Sequence, residues 1–113
     1  MKYLLLAFVD EAIERSPEEA AATDEHVVSW VGEMGGRGVR LLGSRLRPVS
    51  DATTVQARGA ELLISDGPFA ETKEQLAGFE VLECADLDEA IEVASRHPAA
   101  VLGTVGLTPC WAE

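Results

Sequence analysis

Three features of the chain predict an α+β fold with a ferredoxin-like sheet. They are an opening strand that is apolar on both faces, two long capped helices each set between strands, and a glycine-turned hairpin between the two halves. The resulting order is strand, helix, strand, hairpin strands, strand, helix, strand (βαβ-ββ-αβ), with both long helices on one face of the sheet. With 113 residues, 47% of them hydrophobic, and no break in composition, residues 1–113 read as a single domain around one core.

Along residues 2–9, Tyr3, Leu5, Ala7 and Val9 alternate with Leu4, Leu6 and Phe8, so both faces of this strand need cover. Helices confined to one face leave the other bare. A second copy of the same sheet is the simplest cover, which predicts a homodimer through sheet faces. Ser16, Pro17 and Glu19 supply an N-cap, a first-turn proline and a capping-box carboxylate, opening a helix over 17–34. Its expected stripe is Ala20, Thr23, Val27, Val31 and Met34, with Val28 on the border; Gly35, Gly36 and Gly38 stop it.

A strand over 39–46 is ended by Pro48. Residues 53–57 and 61–65 read as a hairpin about Arg58-Gly59, and 71–76 as a short turn of helix. A strand over 78–84 leads to the second long helix, capped by Asp86 with Glu89 at its third position. Leu87, Ala90, Ile91 and Ala94 form its expected stripe, and Pro98 ends it. Residues 101–107 make the last strand, before a tail carrying Trp111.

Nine Lys and Arg against twenty Asp and Glu give a formal charge of −11. That charge repels phosphate backbones and anionic lipid surfaces, so neither nucleic acid nor membrane is an expected partner. The apolar opening segment is too short to span a bilayer and has no small-residue cleavage site behind it, which predicts a cytoplasmic protein. Cys84 and Cys110 lack the spacing of a disulfide framework or a zinc site and read as small apolar fillers. Two histidines make a His-rich metal site improbable, and no metal or organic cofactor is expected.

The densest chemistry lies in residues 66–79. Gly67 permits unusual backbone angles, Pro68 fixes the next φ, and Phe69 is available to anchor the loop on the core, leaving Asp66 held at a strand end. Two readings fit: a ligand clamp with a fixed carboxylate, or a turn in which Asp66 accepts hydrogen bonds from nearby amides. Glu71, Lys73 and Glu74 are either a solvated helix start or a set in which Lys73 recognises an acidic group while Asp66 or Glu71 handles a proton. On the first helix, His26 lies about 100° from the centre of the buried stripe, with Trp30 and Glu33 on the same line. That stripe could supply a titratable base, a stacking wall for a planar or cyclic ligand, and an orienting carboxylate, or a surface that meets a partner. His97 is accounted for by a cationic group at a helix C-terminus. No Walker sequence, Gly-x-Ser-x-Gly elbow or Cys-His pair is present, and the glycines after the first helix do not join a strand to a helix start.

The whole chain resembles the YCII-related proteins, specifically their DGPF-domain branch. The resemblance rests on Asp66-Gly67-Pro68-Phe69 and its continuation to Phe79, supported by Met1-Lys2-Tyr3-Leu4-Leu5-Leu6, His26, residues 39–48, Asp86-Leu87-Asp88-Glu89-Ala90 and Pro109-Cys110-Trp111. It implies a dimeric α+β barrel made by two ferredoxin-like sheets packed face to face. Most of the family is uncharacterised; a His–Asp pair is proposed as an active site in YCII-like relatives, and a few members are tied to breakdown of chlorinated aromatic intermediates. His26 matches the family histidine. The expected aspartate has no counterpart in Gly35-Gly36-Arg37-Gly38-Val39, and Asp66 is put forward as its substitute.

The resulting expectation is a small metabolite-binding homodimer, polar or cyclic ligands being favoured, with His26 as general acid or base. Asp66 would orient it, Lys73 and Glu71 would bind the polar end of the substrate, and Trp30 and Phe69 its ring, in an elimination, isomerisation or hydrolysis. The alternative is a non-catalytic accessory protein acting by protein contact, since DGPF relatives are often encoded beside extracytoplasmic-function sigma factors.

Overall fold

A computed structural model of the chain describes residues 1–112. In chain order the elements are β1 (Lys2–Val9), α1 (Pro17–Gly36), β2 (Arg40–Arg45), a 3-10 turn (Val49–Asp51), β3 (Thr53–Arg58), β4 (Glu61–Asp66), β5 (Gln75–Glu83), α2 (Leu87–Ser95), α3 (Pro98–Leu102) and β6 (Thr104–Pro109). The main sheet has the order β2-β5-β1-β6 and every neighbouring pair is antiparallel. β1 and β2 therefore run parallel with β5 between them, the split arrangement of the ferredoxin-like fold.

The two faces of β1 have different fates. Tyr3, Leu5 and Ala7 are buried and join Trp30 and Met34 of α1, Ala90, Val93 and Ala94 of α2 and Ala99 of α3 in one core. Leu5, Met34, Leu82 and Val93 are fully enclosed there, and burial of each such side chain is worth about 1.5–3 kcal/mol. Leu4, Leu6 and Phe8 point to the opposite face, where their cross-strand partners include Val81, Phe79 and Gly106. No helix among the described residues covers that side.

α1 starts as its residues dictate: the Ser16 hydroxyl accepts from Glu19 N at 3.1 Å, and the Glu19 carboxylate accepts from Ser16 N at 3.3 Å. Its inward positions are Val27, Trp30, Val31 and Met34, an i, i+3, i+4, i+7 series, while Ala20 and Val28 are exposed. Trp30 thus belongs to the core, its indole N–H donating to Val93 O at 3.0 Å, and not to an exposed stripe with His26 and Glu33. Asp86 caps α2 by accepting from Glu89 N at 2.9 Å. Ala90, Val93 and Ala94 form the inward face of α2, and Leu87 and Ile91 are each about half exposed, so its stripe is rotated from the expected one.

Pro98 does not simply end α2. It occupies the first turn of α3, for which His97 is the N-cap, because a proline has no N–H to lose there. The last strand consequently begins at Thr104 rather than at 101. β3 and β4 form a separate two-stranded sheet with Val55 opposite Ile64 and Ala57 opposite Leu62. Residues 71–74 are irregular rather than helical, because the Thr72 hydroxyl bonds to Glu74 O and the Gln75 amide to Thr72 O, a side-chain-braced turn that displaces the helical ladder. No helix among the described residues is long and apolar enough to cross a membrane.

Candidate functional site

A cavity of about 390 Å³ lies between the middle of α1, the sheet and α3. Its apolar walls include Val27 and Val31 of α1, Ala7 and Val9 of β1 and Leu102 of α3, and it also takes in Glu80, Arg40 and His97. Glu80 is the inward-facing carboxylate of β5, opposite Leu5, and is only 5% exposed. Arg40 of β2 donates from Nε to Glu80 Oε2 at 2.6 Å. Burial raises the Glu80 pKa, and the Arg40 hydrogen bond and charge act against that rise. Gly43 is the neighbour of Glu80 on β2; a Cβ there would collide with the Glu80 carboxylate and the carbonyl of Phe79.

His97 is buried, at 7% exposure. Its Nδ1 accepts from Ala99 N at 3.0 Å, and its ring meets the edge of Trp30 with centroids 4.7 Å apart and planes at 70°. Accepting at Nδ1 leaves the proton of the neutral ring on Nε2. Burial also lowers the His97 pKa, which corrects the expectation of a cationic histidine at a helix end: the chain turns inward at Pro98 and takes the ring with it. Nε2 finds no protein partner among the described residues, yet no deeply buried side-chain nitrogen or oxygen there lacks one. The His97 ring is part of the cavity lining, and Nε2 is its unengaged donor. Glu80 lines the same cavity, accepting at Oε2 and receiving no hydrogen bond at Oε1. One cavity is thus lined by a hydrogen-bond donor and a carboxylate acceptor, each with an unused atom.

A second, wider cleft of about 1000 Å³ lies where the β3–β4 hairpin leaves the body, lined by Phe8, Asp10 and much of 68–76. The structure gathers Phe69, Glu71 and Lys73 around it. Its loop is pinned by Gly67 N to Ala52 O at 2.7 Å, by Glu11 N to the Gln75 side chain at 2.9 Å, and by Thr104 Oγ1 to Glu74 at 2.7 Å. Gly67 has φ +88°, which is why glycine sits there. Phe69 is 87% exposed and does not anchor the loop on the core; those hydrogen bonds do. Asp66 ends β4 and is exposed, and His26 is exposed on α1 and lines neither cavity. No hydrogen bond or ion pair among the described residues joins them. Glu33 pairs with Arg96 at 2.5 Å. Cys84 is buried and Cys110 exposed, both free, so only the first is a core filler.

The model of the YCII-related domain matches residues 1–111. The chain belongs to the YCII-related family. An uncharacterised protein of Rhizobium meliloti is 40% identical over 100 residues, covering 83% of this chain and 77% of its own. A similar solved structure is the 5-chloro-2-hydroxyhydroquinone dehydrochlorinase of Burkholderia phenoliruptrix in complex with 2,5-dihydroxybenzoquinone. It has a TM-score of 0.56 at 12% identity, covering 100% of this chain and 96% of that one, a likeness of fold.

Within this YCII-related fold, Glu80 and His97 are cavity-lining residues that motif reading passes over. Glu80 had a legible signal: in the alternation Gly78, Glu80, Leu82, Cys84 it is the one charge on an inward face. Arg40, forty residues away, had none, since only the topology places β2 beside β5.

Proposed function

We propose that this YCII-related protein binds a small polar or cyclic metabolite in the cavity between α1 and the sheet, and moves a proton on it. The observation that carries the reading is that Glu80, with Oε1 unengaged, and His97, with Nε2 unengaged, line one cavity. The Glu80 carboxylate takes a proton from a carbon beside a carbonyl, and the electron pair of that C–H bond passes to the carbonyl oxygen. The Nε2–H of His97 donates to the oxygen as its negative charge grows, a role suited to a neutral ring held at Nδ1. Return of the proton at another carbon completes an isomerisation; expulsion of a leaving group by the returning pair completes an elimination. The elimination named for the dehydrochlorinase, and its cyclic quinone ligand, suit this reading.

Exchange of the ring hydrogens of 2,5-dihydroxybenzoquinone in deuterated buffer, followed by proton NMR, tests it. The protein should accelerate exchange over buffer, and Glu80→Gln should lower that acceleration by about a hundredfold or more. Exchange retained in Glu80→Gln but lost in His26→Ala would return the chemistry to His26 and Asp66, with Lys73 and Glu71 as the anion and proton groups.

The sheet face opposite the helices carries the second part of the proposal, a homodimer. Leu4, Leu6, Phe8, Phe79 and Val81 lie there without helical cover, and Val55, Leu62 and Ile64 of the hairpin are each more than half exposed. A two-stranded hairpin is marginal by itself, and a second copy supplies cover for both surfaces.

A further inference from the structure

Three of the nine cationic side chains, Arg15, Arg40 and Arg45, line the cavity between α1 and the sheet, in a protein of net charge −11. Two are engaged: Arg40 with Glu80 at 2.6 Å and Arg45 with Asp24 at 3.2 Å. Arg15 is half-buried and forms no ion pair or hydrogen bond with the described residues. It immediately precedes the Ser16 cap of α1, so the positive end of a 20-residue helix adds to its field. The carboxylates of the lining have other partners, Glu11 accepting from Val49 N at 3.1 Å, Asp24 pairing with Arg45 and Glu80 with Arg40.

We infer that the ligand of this cavity is a small organic acid whose carboxylate is held by Arg15 and whose apolar body lies along Val27, Val31 and Leu102. A guanidinium offers a planar fork of donors that matches a carboxylate in two parallel hydrogen bonds. With the acid group fixed at the start of α1, the rest of the molecule extends over the same apolar walls toward Glu80 and His97. The inference rests on the proposed use of that cavity and names the chemistry of what enters it. The overall negative charge opposes anions at long range, so selection for an acid comes from this short-range fork and not from steering.

Titration of the nitrogen-15-labelled protein with phenylacetate and with its neutral counterpart phenylacetamide tests it, read from backbone amide shifts. Phenylacetate should shift the amides of Arg15, Val27 and Ala99 and bind about tenfold or more tighter than phenylacetamide. Arg15→Gln should bring the affinities for the two probes to about parity, and Arg15→Lys should restore the preference only in part. Equal affinity for the two probes at these amides overturns the acid inference and leaves the cavity as the site. Shifts confined to residues 69–73 overturn both the inference and the cavity reading, and absence of any shift with phenylacetate at tens of millimolar overturns the inference.

Discussion

Glu80 sits where a leucine would satisfy the core at less cost, and Gly43 is the reason it fits. The strand opposite has no side chain at that point, so the carboxylate lies over the backbone of β2 and reaches Arg40. Gly43→Ala should therefore destabilise the fold by about 1–3 kcal/mol and displace Glu80 from Arg40, checked by urea denaturation and by loss of any ligand binding in the cavity. His97 has its own pH signature. Its pKa is lowered in the folded chain. Above the ordinary histidine range, about 6.5, both states are neutral and the contribution is complete. As pH falls below that range, the unfolded chain takes a proton that the folded ring refuses, and stability is lost until the depressed folded pKa is passed. Glu80, whose pKa is raised, runs the other way, losing stability as pH rises from the ordinary carboxylate range through its folded value. Comparison with His97→Asn isolates the histidine, since asparagine keeps an N-cap acceptor. Between about pH 7.5 and about pH 5.5 the parent should lose more stability than the variant in paired urea titrations.

At the level of elements, cap chemistry decides what can be read from the chain. Ser16 with Glu19 and Asp86 with Glu89 announce the starts of α1 and α2 within a few residues, and both caps form. Ser16→Ala should cost about 1 kcal/mol in thermal or urea unfolding without altering the sheet. α3 escapes a sequence reading because its five residues are too few to show a helical period, and because Pro98 serves equally as a stop and as a first-turn residue. The stripe of α1 was legible at Val27, Val31 and Met34; Ala20 is exposed, and Trp30, placed by its helical angle on the His26 line, instead completes the buried series. The 71–76 segment carries helix-favouring charges, and the hydrogen bonds of Thr72 and Gln75 override them. The catalytic proposal follows from the same limits. Asp66, Phe69, Glu71 and Lys73 stand out by local density, whereas Glu80, Arg40 and His97 come from three elements that only the folded topology unites.

The whole molecule is thin for its breadth, measuring 47 × 43 × 19 Å, as one sheet layered with helices on a single side must be. The uncovered side and the exposed hairpin together make the homodimer proposal, which light scattering should report as twice the 12.1 kDa chain mass; a monomeric mass at micromolar concentration contradicts it. The proton-transfer proposal depends on neither copy number nor hairpin, because its groups all lie beneath α1 in one chain. Its central claim is that His97 is a neutral ring presenting Nε2–H to the cavity. Long-range nitrogen-15 correlation spectra of the imidazole rings, recorded as a function of pH, test this most directly, with only two histidines to assign. The account predicts a His97 ring protonated at Nε2 and bare at Nδ1 near neutral pH, with its titration displaced below the ordinary histidine range. A proton on Nδ1, or a ring that takes its second proton at the ordinary value, would contradict it.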